Sequence, residues 1–260
     1  MKNIRLLLLD LDGTLLSSQK TILPRTLAAL ERCRDKGLLI GIATSRGEQN
    51  ALGYLEQLKP DAVISSAGAL VRLRGKAVHV NGFTGEESAC LLRDLKRIAG
   101  GVLPMTVDGV EDYYRNYQLP PEETDRTWET GILTDFKDFS LPSLKICFET
   151  DEPALAERIR AVLPHCDCIR FSDGNWYKLT PKGVTKESAI LQLCSCLGIA
   201  PENIAAFGDD YADLGMLELC GLGIAMGNAI PEVQAVADRV IGSNDEDGIA
   251  IWLEETFLKG

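Results

Sequence analysis

The stretch Ile4-Arg5-Leu6-Leu7-Leu8-Leu9-Asp10-Leu11-Asp12-Gly13-Thr14-Leu15-Leu16 constrains this chain more than any other. Four consecutive leucines without polar alternation suit a strand buried on both faces, as in a parallel sheet covered by helices. That strand runs into two carboxylates one residue apart. At a strand end such a pair repels and loses solvation, so it calls for a compensating cation or proton. Mg²⁺ suits the spacing, because it takes one or two carboxylates together with water and phosphate oxygens. Gly13 permits a sharp turn that leaves the amides of Leu11, Asp12 and Gly13 to face an anion. The simpler alternative is a loop in which Asp10 and Asp12 only cap the next segment.

Leu27, Leu30 and Cys33, with Pro24 before them and Gly37 after, predict a helix over 24–36. Residues 38–43 read as a second buried strand, which delivers Thr44-Ser45-Arg46-Gly47 to a loop before a helix over 48–58. A hydroxyl and amides at a strand end beside a helix start form a seat for phosphate, and a plain helix cap is the alternative. A third short strand over 61–65 leads into the turn Ser66-Ala67-Gly68-Ala69. This alternation predicts an α/β fold, a doubly wound parallel sheet with ligands at the carboxyl ends of its strands.

The rhythm changes after residue 80. A helix over 86–99, short alternating segments at 103–108 and 111–116, and a polar stretch over 118–129 with Pro120-Pro121 come first. A strand at 144–149, a helix at 152–163 and strands at 168–171 and 176–179 follow, which predicts an α+β unit with a mostly antiparallel sheet. The parallel pattern resumes with Lys182-Gly183-Val184-Thr185-Lys186, a helix to about Gly198 and a strand at 204–207. The loop Gly208-Asp209-Asp210-Tyr211-Ala212-Asp213, a helix, a strand at 222–225 and further elements at 230–237, 239–241 and 247–258 complete it. The expected domains are a discontinuous core, 1–80 with 185–260, and a cap inserted over 81–184. Lys186, at a helix start on the active edge of the sheet, can neutralise phosphate charge and hold Asp10 ionised.

The hydrophobic strand running into Asp10-Leu11-Asp12-Gly13-Thr14-Leu15 resembles the first motif of the haloacid dehalogenase superfamily, and the strand ending at Thr44 resembles its second. Thr180-Pro181-Lys182-Gly183-Val184-Thr185-Lys186 is similar to the third motif of the branch with a large α+β cap of the C2 type, with Lys186 as its lysine. The loops Gly208 to Asp213 and Ala225-Met226-Gly227-Asn228-Ala229 also match that branch, the Cof-like subclass IIB phosphatases. The resemblance implies a Rossmann-like core, with Asp10 as nucleophile and Asp12 as general acid and base. It also implies phosphate contacts from the Leu11 amide, Thr44, Ser45 and Lys186. Asp209 joins the Asp10 carboxylate and the Asp12 carbonyl as metal ligands, with Asp213 and Asn228 in support. Two positions depart from the pattern: Ala212 and Ala67 stand where relatives carry asparagine, and Ala212 removes one contact to phosphate.

The formal charge of −11 opposes nucleic acid or an anionic membrane as partner. No apolar run reaches the roughly 18 residues of a membrane span, and the start Met1-Lys2-Asn3 leads into the first strand without the pattern of a signal peptide. The eight cysteines are scattered without disulfide or zinc spacing, which predicts free thiols in a reducing cytoplasm. Gly221, Gly223 and Gly227 imitate a dinucleotide fingerprint, but a strand lies where the turn should be. With His79 and His165 as the only histidines, a Ser-His-Asp hydrolase has little support.

The expected function is Mg²⁺-dependent hydrolysis of a small phosphomonoester through a phosphoaspartyl intermediate. A sugar phosphomutase and a non-catalytic phosphometabolite-binding protein are the alternatives. The cap is expected to close over the core and read the leaving group. Tyr113, Arg115 and Trp176 are candidates for that reading, against the commoner role of such residues in packing. The motifs read phosphate rather than its carrier, so sugar phosphates, pyridoxal phosphate and flavin mononucleotide fit equally, and no motif bears on oligomeric state.

Overall fold

The computed structural model describes residues 3–119, 125–172 and 174–259. Pro120-Pro121, in the polar stretch expected between the cap segments, lie outside them. The chain divides into two compact units, Met1–Ser45, Gly53–His79 and Thr185–Gly260 in the first and Arg46–Leu52 and Val80–Val184 in the second.

In chain order the elements begin β1 (Leu6–Leu9), α1 (Pro24–Asp35), β2 (Leu39–Ala43), α2 (Glu48–Leu58), β3 (Ala62–Ser65), β4 (Leu70–Leu73) and β5 (Lys76–Val80). Next come α3 (Gly85–Ala99), β6 (Met105–Asp108), β7 (Tyr113–Arg115), β8 (Ile132–Leu133), β9 (Lys145–Glu149), α4 (Pro153–Val162), β10 (Cys166–Arg170) and β11 (Trp176–Pro181). The chain ends with α5 (Lys186–Leu197), β12 (Ile204–Gly208), α6 (Leu214–Leu219), β13 (Leu222–Ala225), α7 (Pro231–Val236), β14 (Arg239–Val240) and α8 (Gly248–Thr256).

The first unit is built on an eight-stranded sheet of order β14-β13-β12-β1-β2-β3-β4-β5. From β14 to β3 the pairings are parallel, and β4 runs antiparallel to β3. All four leucines of β1 are fully buried, which explains their unbroken apolar run. Because β12 and β2 flank β1, the strand order reverses there, and such a switch point opens a crevice at the carboxyl ends. Helix α1 packs on α8, and α5 on α6, β3 and β4.

The second unit carries a six-stranded sheet of order β10-β11-β9-β6-β7-β8. All its pairings are antiparallel except β7 with β8. Leu91, Leu92 and Leu95 of α3 and Ile159 of α4 form one core with Met105, Val107, Ile146, Phe148 and Leu179 of the strands. The alternate residues form a polar set. Across the strands Arg115 pairs with Thr106, Thr106 with Cys147 and Cys147 with Lys178, and Asp108 pairs with both Tyr113 and Lys145.

Four strands differ from expectation, three of them additional. β4 and β5 extend the first sheet past the turn at 66–69, and β8 joins the second. β5 is mostly exposed and β8 has two residues, so neither carries the alternation that marks a half-buried strand. Strand β10 begins two residues earlier than the apolar pattern suggests, because Cys166 packs inward. All eight cysteines are free thiols, and among the described residues no helix is long and apolar enough to cross a membrane.

Candidate active site

Asp10 directly follows β1, and its N–H donates to Phe207 O at 3.0 Å, continuing the ladder with β12. Its carboxylate is buried and accepts a hydrogen bond from Lys186 Nζ at 2.7 Å on Oδ1. Lys186 is the first residue of α5, where Thr185 and Ser188 form a reciprocal cap. The same ammonium donates to Asp213 Oδ1 at 2.6 Å. Gly68 is the residue that lets α5 start so close to the turn after β3, because a Cβ there would lie 2.1 Å from Thr185 O. Its φ of +107° also excludes most side chains.

Asp213 is fully engaged. Its second oxygen accepts the N–H groups of Asp209 at 3.0 Å and Asp210 at 3.2 Å, so it folds the loop after β12 around itself. Asp209 accepts from the Thr14 hydroxyl at 2.6 Å. Among the described residues, Asp10, Asp209 and Asp213 each offer a carboxylate oxygen within 4.8 Å of the others, the one such cluster suited to a metal ion. Asp213, which orients the lysine and the loop, carries more protein donors than Asp10 or Asp209, whose carboxylates could hold a cation with fewer competing hydrogen bonds.

Burial pushes the Asp10 carboxyl well above the usual carboxylate range, Lys186 opposes this, and Asp213 and Asp209 add to it. Burial likewise pushes Asp209 up to about 7, opposed by the Thr14 hydrogen bond and reinforced by Asp213 and Asp210. Burial works against the Lys186 ammonium, but Asp10 and Asp213 outweigh it and raise its pKa, so the lysine stays charged. One lysine against three carboxylates is a charge deficit that a divalent cation corrects. Gly13, at φ +75°, keeps the approach clear: a Cβ there would lie 2.1 Å from Asp209 Oδ2. An all-oxygen, carboxylate-rich donor set of this kind fits a hard cation.

The other expected site residues take distinct places. Asp12 does not join the acidic cluster by its side chain, whose Oδ1 accepts from Lys20 Nζ at 2.7 Å. The Leu11 side chain is buried, and its carbonyl accepts the N–H groups of Thr14 and Leu16, closing the loop. Thr44 follows β2 beside Asp10, buried, with its N–H on Ile64 O at 2.8 Å, and Ser45 comes next, half-buried. Thr44 O accepts the N–H of Ala67, which is buried in the left-handed region at φ 61°. That conformation is one that asparagine tolerates better than alanine. Ala212 lies in the short turn Tyr211–Asp213, partly buried. Asn228 Nδ2 donates to Gly13 O at 2.8 Å.

Thr14 and Lys20 were not singled out from the sequence. Thr14 lies within the Asp-x-Asp-Gly-Thr run, which was the available signal; nothing in the sequence pairs Lys20 with Asp12. In the second unit, Arg115 is buried and donates to Tyr117 O at 2.6 Å and Glu129 O at 3.4 Å. Tyr113 is buried beside Trp128, and Trp176 lies against Tyr117 at 5.4 Å between ring centroids. These three residues pack and brace their unit.

A doubly wound sheet interrupted by an α+β unit, with carboxylates and a lysine at its switch point in place of a glycine-rich phosphate loop, is a Rossmann-like α/β plan with an inserted domain. The profile of haloacid dehalogenase-like hydrolases matches residues 7–253, and the chain belongs to that family. It is a phosphatase of the Cof-like branch. A putative phosphatase of Haemophilus influenzae is 31% identical, over 95% of this chain and 96% of that protein. The 5-amino-6-(5-phospho-D-ribitylamino)uracil phosphatase YitU of Bacillus subtilis is also 31% identical, over 97% of each. The solved structure of a haloacid dehalogenase subclass IIB sugar phosphatase matches with a TM-score of 0.81 and 26% identity, over 96% of this chain and 98% of that one.

Proposed function

We propose that the chain hydrolyses a small phosphomonoester, of a sugar, a polyol or a phosphorylated cofactor, with Mg²⁺ and through a phosphoaspartyl intermediate. The observation that carries this reading is the convergence of Asp10, Lys186 and Asp213, which lie far apart in sequence, through one buried ammonium. The names of the relatives support the substrate class, since one acts on a phosphorylated ribityl compound and another on sugar phosphates.

When bound by Asp10, Asp209 and the Asp12 carbonyl, Mg²⁺ supplies positive charge for the phosphoryl oxygens. Asp10 attacks phosphorus in line as the ester P–O bond breaks, and Asp12 gives its proton to the departing alkoxide. Asp12 then takes a proton from water as that water attacks phosphorus, the P–O bond to Asp10 breaks and inorganic phosphate leaves. Lys186 keeps Asp10 ionised and neutralises phosphate charge, while the Thr44 hydroxyl, Ser45 and the Leu11 amide hold the remaining oxygens. The Asp12 side chain stays out of the acidic cluster and pairs with Lys20, which would have to yield to substrate for Asp12 to carry the proton.

The inserted unit, 81–184, serves as the cap in this reading and selects the leaving group. Its polar strand positions, Thr106, Asp108, Lys145, Lys178 and Thr180, join Tyr113, Arg115 and Trp176 as candidates for that selection. The eight thiols support a reducing cytoplasm as the location.

The test is phosphate release from p-nitrophenyl phosphate and a panel of sugar, polyol and cofactor phosphates, with Mg²⁺ and with EDTA. Turnover that needs metal and disappears in Asp10→Asn is the expected result. Equal turnover by Asp10→Asn removes the proposed nucleophile. Binding without turnover, or activation by a bisphosphorylated sugar, points to the binding protein or the mutase.

A further inference from the structure

The loop that carries Asp12 is held by Asn228 of the 225–229 loop and by two residues, Asn244 and Asp245, that belong to none of the motifs. Asn228 Nδ2 donates to Gly13 O at 2.8 Å, and Asn228 Oδ1 accepts the N–H of Asn244 at 3.0 Å. Asn244 Nδ2 in turn donates to Leu16 O at 2.8 Å, and Ser18 N–H donates to Asp245 Oδ1 at 2.8 Å. Leu16 O and Ser18 N–H are thus held by two adjacent side chains, Asn244 and Asp245, in the loop after β14, and Gly13 O is held by Asn228, which rests on the backbone N–H of Asn244. That loop is itself organised, since Glu246 and Gly248 both donate their N–H groups to Ser243 O and Asp247 takes a left-handed φ of 55°.

The fixed segment ends in a tight turn, where Lys20 N–H donates to Ser17 O at 2.9 Å and Ser17 N–H to Thr21 O at 2.9 Å. Lys20 adopts φ 54° there, a conformation a lysine enters only when its surroundings impose it. The reward is its ammonium, 2.7 Å from Asp12 Oδ1. The stem of the turn that presents Lys20 to the Asp12 carboxylate is therefore anchored on the side chains of Asn244 and Asp245.

We propose that Asn244 and Asp245 are positioning residues for proton transfer by Asp12. The inference rests on the acid and base role proposed for Asp12. A group that delivers a proton in the transition state must be held to within a fraction of an ångström, and side chains two hydrogen bonds away can set that placement without touching substrate. Thr44 and Ser45, which follow β2, and Lys186, at the start of α5, take no part in this brace.

The experiment compares two leaving groups in single turnovers of the Mg²⁺-loaded enzyme. p-Nitrophenolate departs without a proton, whereas the alkoxide of β-glycerophosphate requires one. For Asn244→Ala and Asp245→Ala, alcohol release from β-glycerophosphate is expected to slow roughly tenfold more than nitrophenolate release, with KM within about twofold. Asp245→Asn keeps an acceptor oxygen for Ser18 and is expected to restore the wild-type ratio. Asp245 is exposed, so its variants test the idea even where Asn244→Ala folds poorly. Equal slowing of both esters, or of neither, overturns the proposal when Asp12→Asn itself slows β-glycerophosphate selectively. An Asp12→Asn enzyme without that selectivity overturns the acid role and the positioning inference with it.

Discussion

Lys186 Nζ lies 2.6 Å from Asp213 Oδ1 while the other oxygen of that carboxylate gathers two backbone N–H groups of the β12 loop. The lysine that faces Asp10 is therefore aimed by a carboxylate that also organises the β12 loop. Asp213→Ala leaves a buried ammonium without one of its two counter-charges and two N–H groups without an acceptor. Breaking a buried pair in this way costs about 3–5 kcal/mol, read as a lower denaturant midpoint. Lys186→Met removes the charge facing phosphate, and its kcat is expected to fall roughly 10²–10³-fold, the scale of losing one preorganised electrostatic contact. An Asp213→Ala enzyme as stable as wild type contradicts this account.

Gly13→Ala tests the clearance around Asp209. The added Cβ would lie 2.1 Å from Asp209 Oδ2, and the φ of +75° is unfavourable for alanine by about 1–2 kcal/mol. The carboxylate must shift, so we expect weaker Mg²⁺ binding by isothermal titration and a higher metal requirement for turnover. Unchanged metal affinity would show that Asp209 has room that the geometry denies it.

Much of this was legible in the sequence because the apolar patterns and the acidic loops agree. The four leucines of β1 are buried on both faces, and an unbroken run can mean little else beside Asp10 and Asp12. Lys186 is different: an isolated lysine reads as a surface group, and only the helix start after Thr185 and the motif around it drew attention to it. The sequence does not mark Thr14 and Lys20, because tertiary folding and not spacing brings them to their partners, Asp209 and the Asp12 carboxylate. Asn244 and Asp245 were beyond reach for the same reason, since they meet residues 16 and 18 across more than two hundred positions. In the second unit the alternation of strands is visible in the sequence, and Tyr113, Arg115 and Trp176 lie against aromatic rings or backbone carbonyls, the commoner role for such residues.

Asp209 links stability to pH. Its carboxyl is pushed up from 3.8 to about 7, so between those values the folded metal-free protein keeps a proton that the unfolded chain has released. The folded state then binds more protons, and this contribution to stability falls as pH rises through that window. Asp10, shifted in the same direction, adds to it. In EDTA, the Tm of wild type relative to Asp209→Asn is expected to decline from about pH 4 to about pH 7, as followed by calorimetry. Mg²⁺ replaces the proton as counter-charge, so adding it should raise Tm more at the upper end of the window than at the lower. A wild-type Tm that rises relative to Asp209→Asn in EDTA contradicts the raised carboxyl.

The pair Asp108 and Lys145 tests the polar strand positions of the second unit. The two groups are 3.0 Å apart with side chains only 3% and 4% exposed, on neighbouring strands β6 and β9. Burial works against the Lys145 ammonium, and Asp108 outweighs it to raise the lysine pKa. Asp108→Ala removes that counter-charge and should cost about 3–5 kcal/mol, whereas the double replacement with Lys145→Met should recover most of it, since a buried pair exchanged for apolar groups is often neutral. Stability alone does not separate a scaffold from a specificity element, but the double variant does. If the pair helps select the leaving group, its ranking of sugar, polyol and cofactor phosphates by kcat/KM changes while inhibition by inorganic phosphate stays as in wild type. A double variant that recovers stability and keeps the wild-type ranking assigns the pair to the scaffold and moves selection to other positions of that unit.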